Sequence, residues 1–468
     1  MASDGQTRPG VSTGISAIAN GNEFLQLLKE FPTLTQAYSA TKPVKHNVFH
    51  HIETHGRPTH AKCRRLAPER YRQVKEEFES LIRQGILRPS KSNWATALHC
   101  VPKKNGEIRA CGDYRALNSQ THLDRYPIPN IQEFGSQLAG AKIFSRIDLT
   151  KAFHQIPVRP EDIPKTAIIT PFGLFEWVRM SFGLKNAAQT FQRFMDEVMR
   201  GIPFCFVYID DLLIASPDVK THKKHLREVF TRLAEYGIQI NIDKSEFGLP
   251  TIDFLGHTVS EAGIAPLKSK CDAIRNFPQP STQRQLKQFL GMVNYYNRFI
   301  PNCSLTLMPL YALLKPAKRG QSVTLTWTPE ATVAFEAAKA ALTDVATLTF
   351  PVPDAVTSIA CDASDLGCGS VLQQWINDAW RPIAFFYKKF NKAQQGYSAF
   401  DRELLAIFMS IKHFRYFLEG RKFHVYTDHK PITTTFLKNR NYEATRFVSL
   451  SSSPASPRIF DTSRVWKM

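Results

Sequence analysis

The stretch FCFVYIDDLLIAS, Phe204 to Ser216, sets two adjacent aspartates in the middle of an apolar run. Apolar residues on both sides describe a buried strand or hairpin. A carboxylate buried there without compensation costs several kcal/mol. Successive strand residues face opposite ways, so Asp210 and Asp211 can act together only at a hairpin tip. An exposed turn is the plain alternative, but the flanks are apolar and offer no Gly or Asn. A second acid closes an apolar strand in IFSRIDLTKAF, where Asp148 follows Ile143 to Ile147. Two neighbouring strands that each end in aspartate can hold divalent cations between them. Magnesium takes oxygen ligands, and two such ions can bind the attacking and leaving oxygens of a phosphoryl transfer.

Composition narrows the partner. The chain has 468 residues and a formal charge of +19, with a pI near 9.6. That excess suits a polyanion such as nucleic acid. The eight cysteines form no C-x-x-C pair and read as free thiols of a reducing compartment. With no signal peptide and no apolar run of transmembrane length, the expectation is an intracellular protein without a membrane partner.

Strands and helices interleave irregularly, which gives an α+β class. Residues 1 to about 20 are rich in Gly, Ser and Thr, and 1–45 reads as a flexible tail. His46 to Cys63 holds five histidines, but the spacing fits no common zinc finger, and Gly56 and Pro58 break any helix. A connector is the reading for that segment. Helices are expected over Ala67–Gly85, Phe191–Met199, His222–Tyr236 and Arg402–Leu418, and another after Trp327 with Thr328 as its cap. A hairpin turns at Lys104-Asn105-Gly106.

A second acidic set follows. Asp362 ends the strand SIACD, and Asp428 ends KFHVYTD. Glu403 lies on DRELLAIFMSIKHF, where an apolar stripe of Phe400, Leu404, Ile407, Phe408 and Ile411 would put it on a flank. Two strand-end aspartates and a helical glutamate make another candidate two-metal cluster.

These motifs carry a resemblance. YIDD, VPKKNGEIRACGDYRALN, RYPIPNI, SRIDLTKAFHQI, FGLKNAAQTFQRFMD and FLGHTVS stand in the order found in the reverse transcriptase of gypsy-type LTR retrotransposons. CDASDLGCGSVLQQ, YSAFDRELLAI and YTDHKPI resemble the ribonuclease H domain of the same Pol polyproteins. The resemblance covers about residues 45 to 440. It implies a right-hand polymerase of fingers, palm and thumb, then a connection and a ribonuclease H-like α/β domain. The implied boundaries are a connector with an N-terminal helix at 46–90, fingers and palm at 91–262, thumb and connection at 263–326, and the nuclease domain at 327–445. It implies Asp148, Asp210 and Asp211 as polymerase metal ligands, and Asp362, Glu403 and Asp428 as nuclease ligands. Lys103 or Lys104, Arg109 and Tyr208 would bind the incoming nucleotide. Phe153 would be the steric gate against a ribose 2′-OH. Phe254, Leu255, Gly256 and His257 would form the primer grip, and Tyr295, Tyr296 and Arg298 could touch the duplex. The cofactor would be two Mg²⁺ per active site, with Mn²⁺ as a substitute. The partners would be an RNA and DNA template–primer duplex and dNTPs, in a cytoplasmic retroelement particle or the nucleus. An RNA-directed RNA polymerase fits less well, given Phe153 and the nuclease motifs.

The chain also departs from that family. Ser181 stands where M-P-F-G-L has proline, a change that removes no chemistry. From about Arg446 the text turns Ser-rich, and the last family motif with its fourth carboxylate is not found; Asp461 is the only late acid. Residues 446–468 therefore read as a divergent, disordered tail and the nuclease domain as cut short. The expectation is weak or absent RNA cleavage beside an intact polymerase. The protein reads as a piece of a retroelement polyprotein, with a catalytically dead, nucleic-acid-binding copy as the alternative.

Overall fold

The aspartate hairpin and its partner strand lie in one antiparallel sheet. The computed structural model describes residues 23–36, 38–41, 43–102, 108–314, 323–342, 345 and 347–432. The chain divides into two units, Met1–Ile252 and Asp253–Met468. The expected domain boundary at 262 therefore falls inside the second unit.

The first unit starts with α1 (Glu23–Lys29) and α2 (Pro68–Arg83). Three strands follow, β1 (Leu87–Pro89), β2 (Thr96–Pro102) and β3 (Ile108–Gly112), then α3 (Arg115–Gln120) and β4 (Ile143–Leu149). Next come β5 (Ile168–Thr170), β6 (Gly173–Trp177), α4 (Ala187–Val198), β7 (Cys205–Tyr208), β8 (Asp211–Ser216), α5 (Val219–Glu235) and β9 (Ile240–Leu249). One sheet runs β1-β6-β5-β2-β3 and the other β7-β8-β4-β9. In the second sheet every pairing is antiparallel and β4 is central. Leu212 to Ser216 of β8 are all buried, which is why the sequence shows an unbroken apolar run there. Helix α4 lies against β7, and α5 lies against β4 and β8. Asp218 caps α5 by accepting the Thr221 N–H at 2.8 Å, so the helix begins ahead of His222, where the sequence had placed its start.

The flexible tail expected over 1–45 needs correction from Glu23 onward, residues 1–22 lying outside the described residues. EFLQLLK forms α1, and Phe24, Leu27, Leu28 and Leu34 are buried in the main core of the unit. Phe24 meets the His222 ring edge-on at 5.8 Å, and Glu30 takes Arg227 at 2.7 Å. Gly248, at φ +66°, makes room for this helix, since a Cβ there would stand 2.1 Å from the Phe24 ring. In the connector, His50 is buried and shares a hydrogen bond with the Thr190 hydroxyl at 2.9 Å.

Strand β10 (Thr251–Phe254) carries the chain into the second unit and leads a three-stranded meander with β11 (His257–Ser260) and β12 (Gly263–Pro266). Helices α6 (Lys268–Arg275), α7 (Gln283–Tyr295), α8 (Cys303–Ala312) and α9 (Pro329–Ala340) follow. Thr328 caps α9, its hydroxyl accepting the Ala331 N–H at 3.2 Å. The last part holds β13 (Thr357–Ala363), β14 (Gly367–Ile376), β15 (Ala379–Lys389), α10 (Lys392–Gln395), α11 (Ala399–His413), α12 (Arg415–Leu418) and β16 (Phe423–Tyr426). Its sheet order is β15-β14-β13-β16, with β16 parallel to β13. The single helix expected to reach Leu418 is broken at Phe414 into α11 and α12.

Helix α11 buries only part of the expected stripe: Ile407 is in the core, and Phe400 and Ile411 pack against it partly buried. Leu404 and Phe408 are 38% and 60% exposed, while Glu403, Ala406, Ile407 and Ser410 face inward. The sheet selects small side chains for close approach, so bulk alone misled the reading. Lys103, Lys104, Asp461 and the tail at 446–468 lie outside the described residues. Among the described residues no helix is long and apolar enough to cross a membrane.

If α1 is an integral part of the core, Phe24→Ala lowers the unfolding free energy by about 3 kcal/mol. Urea unfolding measures this; an unchanged midpoint would return residues 23–34 to the status of a tail.

Candidate active sites

The sheet register places the first acid cluster. In the β4–β8 ladder Asp148 stands directly opposite Asp211, and Tyr208 closes the hairpin opposite Asp211. Ile209 and Asp210 form the two-residue turn, with Asp210 exposed and Asp148 and Asp211 partly buried. The hairpin-tip reading is thus what the fold contains. The turn is strained, because Ile209 has φ +55°, a region that a β-branched residue rarely enters.

The electrostatics follow from this crowding. Burial raises the Asp148 carboxyl, with Lys244 opposing and Asp210 reinforcing the shift. Asp211 is pushed up to about 6, by burial first and then by Asp210 and Asp148. Oxygen-only donors that repel one another in a half-buried place fit a hard divalent cation.

Phe153 sits on a short 3-10 turn five residues past Asp148, half-buried against the rings of Phe182 at 5.1 Å and Phe191 at 5.6 Å. Ser181, the departure from the family pattern, is buried beside Phe182. Arg109 pairs with Val101 in the β2–β3 ladder; its side chain is outside the described set.

The FLGH turn joins β10 to β11. Phe254 and His257 are buried, so only Leu255 and Gly256 are partly accessible there. Tyr295 and Tyr296 donate hydroxyl hydrogen bonds to the carbonyls of Leu255 and Gly256, each at 2.7 Å. A Cβ on Gly256 would come within 3.4 Å of both tyrosines. Tyr296 is 3% exposed and Arg298 is partly buried, its guanidinium pushed down to about 10 by burial. The two tyrosines brace the turn from behind, and of the three sequence candidates for duplex contact Tyr295 is exposed, Arg298 partly so and Tyr296 buried.

The second cluster is tighter. Ligand atoms of Asp362, Glu403 and Asp428 all lie within 4.8 Å of one another, the one such group among the described residues. The parallel register pairs Ala360 with Tyr426, so two further residues along each strand direction bring Asp362 level with Asp428. Asp428 lies just past β16, and Asp362 lies one residue before the end of β13. Glu403 enters from α11, where its carboxylate accepts the Ala363 N–H at 3.0 Å. Burial, then Asp362 and Asp428, push it up to about 7 against that bond. This donor set too suits a divalent cation.

Sequence reading missed Gln192. It is fully buried on the apolar face of α4, accepts the Ile209 N–H at 2.8 Å and donates to the Val207 carbonyl at 3.3 Å. A glutamine set among Phe191, Phe194 and Met195 was the available signal, since a buried amide must have partners.

The fold and its two acid clusters define the class: a polymerase-type palm, followed in the second unit by a ribonuclease H-type sheet. Residues 101–259 match the family described as reverse transcriptase (RNA-dependent DNA polymerase), and 327–425 match the RNase H-like domain found in reverse transcriptase. The chain is 37% identical over 434 residues to the retrovirus-related Pol polyprotein from transposon opus of Drosophila melanogaster, covering 89% of this chain and 43% of that protein. It is 35% identical over 370 residues to the transposon Tf2-3 polyprotein of Schizosaccharomyces pombe, covering 78% and 27%. The chain thus spans less than half the length of these relatives. In structure it is similar to a foamy viral protease-reverse transcriptase in complex with dsDNA, with a TM-score of 0.81 at 22% identity over 95% of this chain and 96% of that one. Residues 101–259 are thus a reverse transcriptase domain and 327–425 an RNase H-like domain, in a chain similar over most of its length to retrotransposon Pol polyproteins. Domains of these two kinds generally depend on divalent metal ions.

The raised carboxyls fix a sign. A carboxyl whose folded pKa exceeds its unfolded value holds its proton more tightly in the fold. Its ionisation therefore costs stability as pH rises from the unfolded value, 3.8 for Asp211, to about 6, and from 4.5 to about 7 for Glu403. In EDTA, the unfolding free energy should fall across that window. Asp211→Asn should remove part of the fall and stabilise the chain at neutral pH by on the order of 1 kcal/mol. Urea unfolding across the window checks this, and a destabilised Asp211→Asn at neutral pH would contradict it.

Proposed function

We propose that this chain is an RNA-directed DNA polymerase that extends a primer 3′-OH with dNTPs on an RNA or DNA template. The observation that carries the reading is Asp148 opposite Asp211 across the β4–β8 ladder, with Asp210 on the adjoining turn. These three carboxylates would hold two Mg²⁺ ions, and oxygen donors accept Mn²⁺ as well. When bound, such ions lower the pKa of the attacking hydroxyl and stabilise the pyrophosphate leaving group.

The remaining work falls to the chain itself. Phe153, backed by Phe182 and Phe191, offers a rigid ring wall that excludes a 2′-OH. Lys103, Lys104 and Arg109 supply positive charge for the triphosphate, Arg through a fork and Lys through a point charge. Tyr208 borders the nucleotide beside the acid pair. The Leu255–Gly256 turn, braced by its two tyrosines, presents a fixed backbone edge to the primer strand. The charge of +19 favours template–primer duplex through phosphate contacts that weaken with salt.

Asp362, Glu403 and Asp428 support a hybrid-directed ribonuclease as the second activity. Among the described residues that cluster holds three acids, and hydrolysis is proposed to be slower than synthesis. The work is done inside the cell, in a retroelement particle or the nucleus.

Primer extension on an RNA template tests the reading. Wild type should incorporate dNTPs with Mg²⁺ or Mn²⁺, and Asp210→Asn should lose at least about a thousandfold of that rate. A folded wild type that incorporates nothing would favour an inactive copy that only binds nucleic acid. Phe153→Val should raise ribonucleotide use relative to dNTP by at least about tenfold. Competition kinetics measure that ratio, and an unchanged ratio would remove Phe153 as the gate.

A further inference from the structure

The turn that carries Asp210 is held in a conformation its own residues do not favour. Ile209 has φ +55°, where an L-residue with a branched Cβ is strained by about 1–3 kcal/mol. Something outside the hairpin must hold it there. Gln192 makes the two bonds that do so, accepting the Ile209 N–H and donating to the Val207 carbonyl. These contacts bracket Tyr208 and reach both the end of β7 and the first residue of the turn.

Gln192 is itself held. Its Nε2 also donates to Asp196 Oδ1 at 2.9 Å, one helical turn along α4. The other oxygen of Asp196 accepts the Tyr126 hydroxyl at 2.6 Å. Arg193 covers the Tyr126 ring at 4.6 Å and pairs with Asp124 at 2.7 Å. Contacts on the Asp124 and Asp196 carboxylates therefore lead from the Asp124–Tyr126 loop to Gln192, whose neutral amide bonds reach the catalytic turn.

We infer that Gln192 is a positioning residue for the catalytic turn, fixed in its rotamer by Asp196 and Tyr126. The inference rests on the polymerase reading of Asp210 and Asp211. Its bonds resist the relaxation of Ile209 to negative φ, which would turn the peptide that leads into Asp210. A residue that only filled the core would not need its amide to meet both Val207 and Ile209.

The test uses the full chain, with Gln192→Met and Gln192→Ala, each alone and combined with Ile209→Gly. Glycine adopts positive φ without strain, so it removes the need for the clamp. Gln192→Met should lower kcat about tenfold and raise the Mg²⁺ concentration for half-maximal rate, while template–primer Kd changes less than about twofold. Adding Ile209→Gly should restore most of the loss. A Gln192→Met enzyme with wild-type kcat and Mg²⁺ dependence would overturn the inference. So would losses that simply add to those of Ile209→Gly. Amide exchange reads the clamp without catalysis. In Gln192→Met the Ile209 amide should exchange at least about tenfold faster while the amides of β8 keep their protection. If wild type fails to polymerise, the functional reading falls and the Ile209 exchange still decides the clamp.

Discussion

Mutual repulsion of carboxylates is the constraint around which this protein is built. Asp148, Asp210 and Asp211 stand at one sheet end, and Asp362, Glu403 and Asp428 at another. Burial first and repulsion second make each group unfavourable on its own account, which raises the carboxyls of Asp211 and Glu403. The surrounding structure must hold the charges together against that force. Central strand β4 does so for the first set, with Asp211 fixed by ladder bonds and Asp210 by a clamped turn. For the second, a parallel strand pair and the buried face of α11 share the task. A divalent cation that offset the repulsion would be favoured by a site arranged in advance of its arrival.

The two sites solve the same problem with different materials. The palm relies on a strained turn and buried amide bonds. The nuclease site relies on close packing: Ala406 and Ser410 let α11 approach the sheet so that Glu403 reaches the Ala363 N–H. The FLGH turn uses a third device, two phenol groups on consecutive residues of α7 and its C-cap that bind consecutive carbonyls. In each case backbone polar groups find side-chain partners where no regular ladder is available.

Much of this was legible in the sequence, for physical reasons. An aspartate pair between long apolar flanks permits few placements, and the hairpin tip is the one that exposes both. Asp148, Asp362 and Asp428 were visible because strands announce themselves by apolar runs with a sharp polar end. What stayed hidden had weaker local signals. Helix α1 follows a Gly- and Ser-rich stretch, and EFLQLL is too short to stand out beside it. Part of the inward face of α11 was misassigned because Leu404 and Phe408 outweigh Ala406 and Ser410 on any scale of bulk. Gln192 looked like one polar residue in an amphipathic helix, and only its distance to Ile209 reveals its use. Tyr296 and Arg298 carry groups that suit nucleic acid, and nothing in the sequence says they are turned inward.

The register of the sheets has a consequence for the order of events on the ribosome. Asp148 acquires its partner only when β8 has been made and folded back, and Asp362 waits likewise for β16. Both pairings are non-local, and pairings of that kind form late. An unfinished chain therefore carries its acids scattered, with little capacity to gather metal ions. The gathered acids that a bound cation would need are withheld from the nascent chain by topology alone, and they come together once the last described strand of each sheet has settled into place.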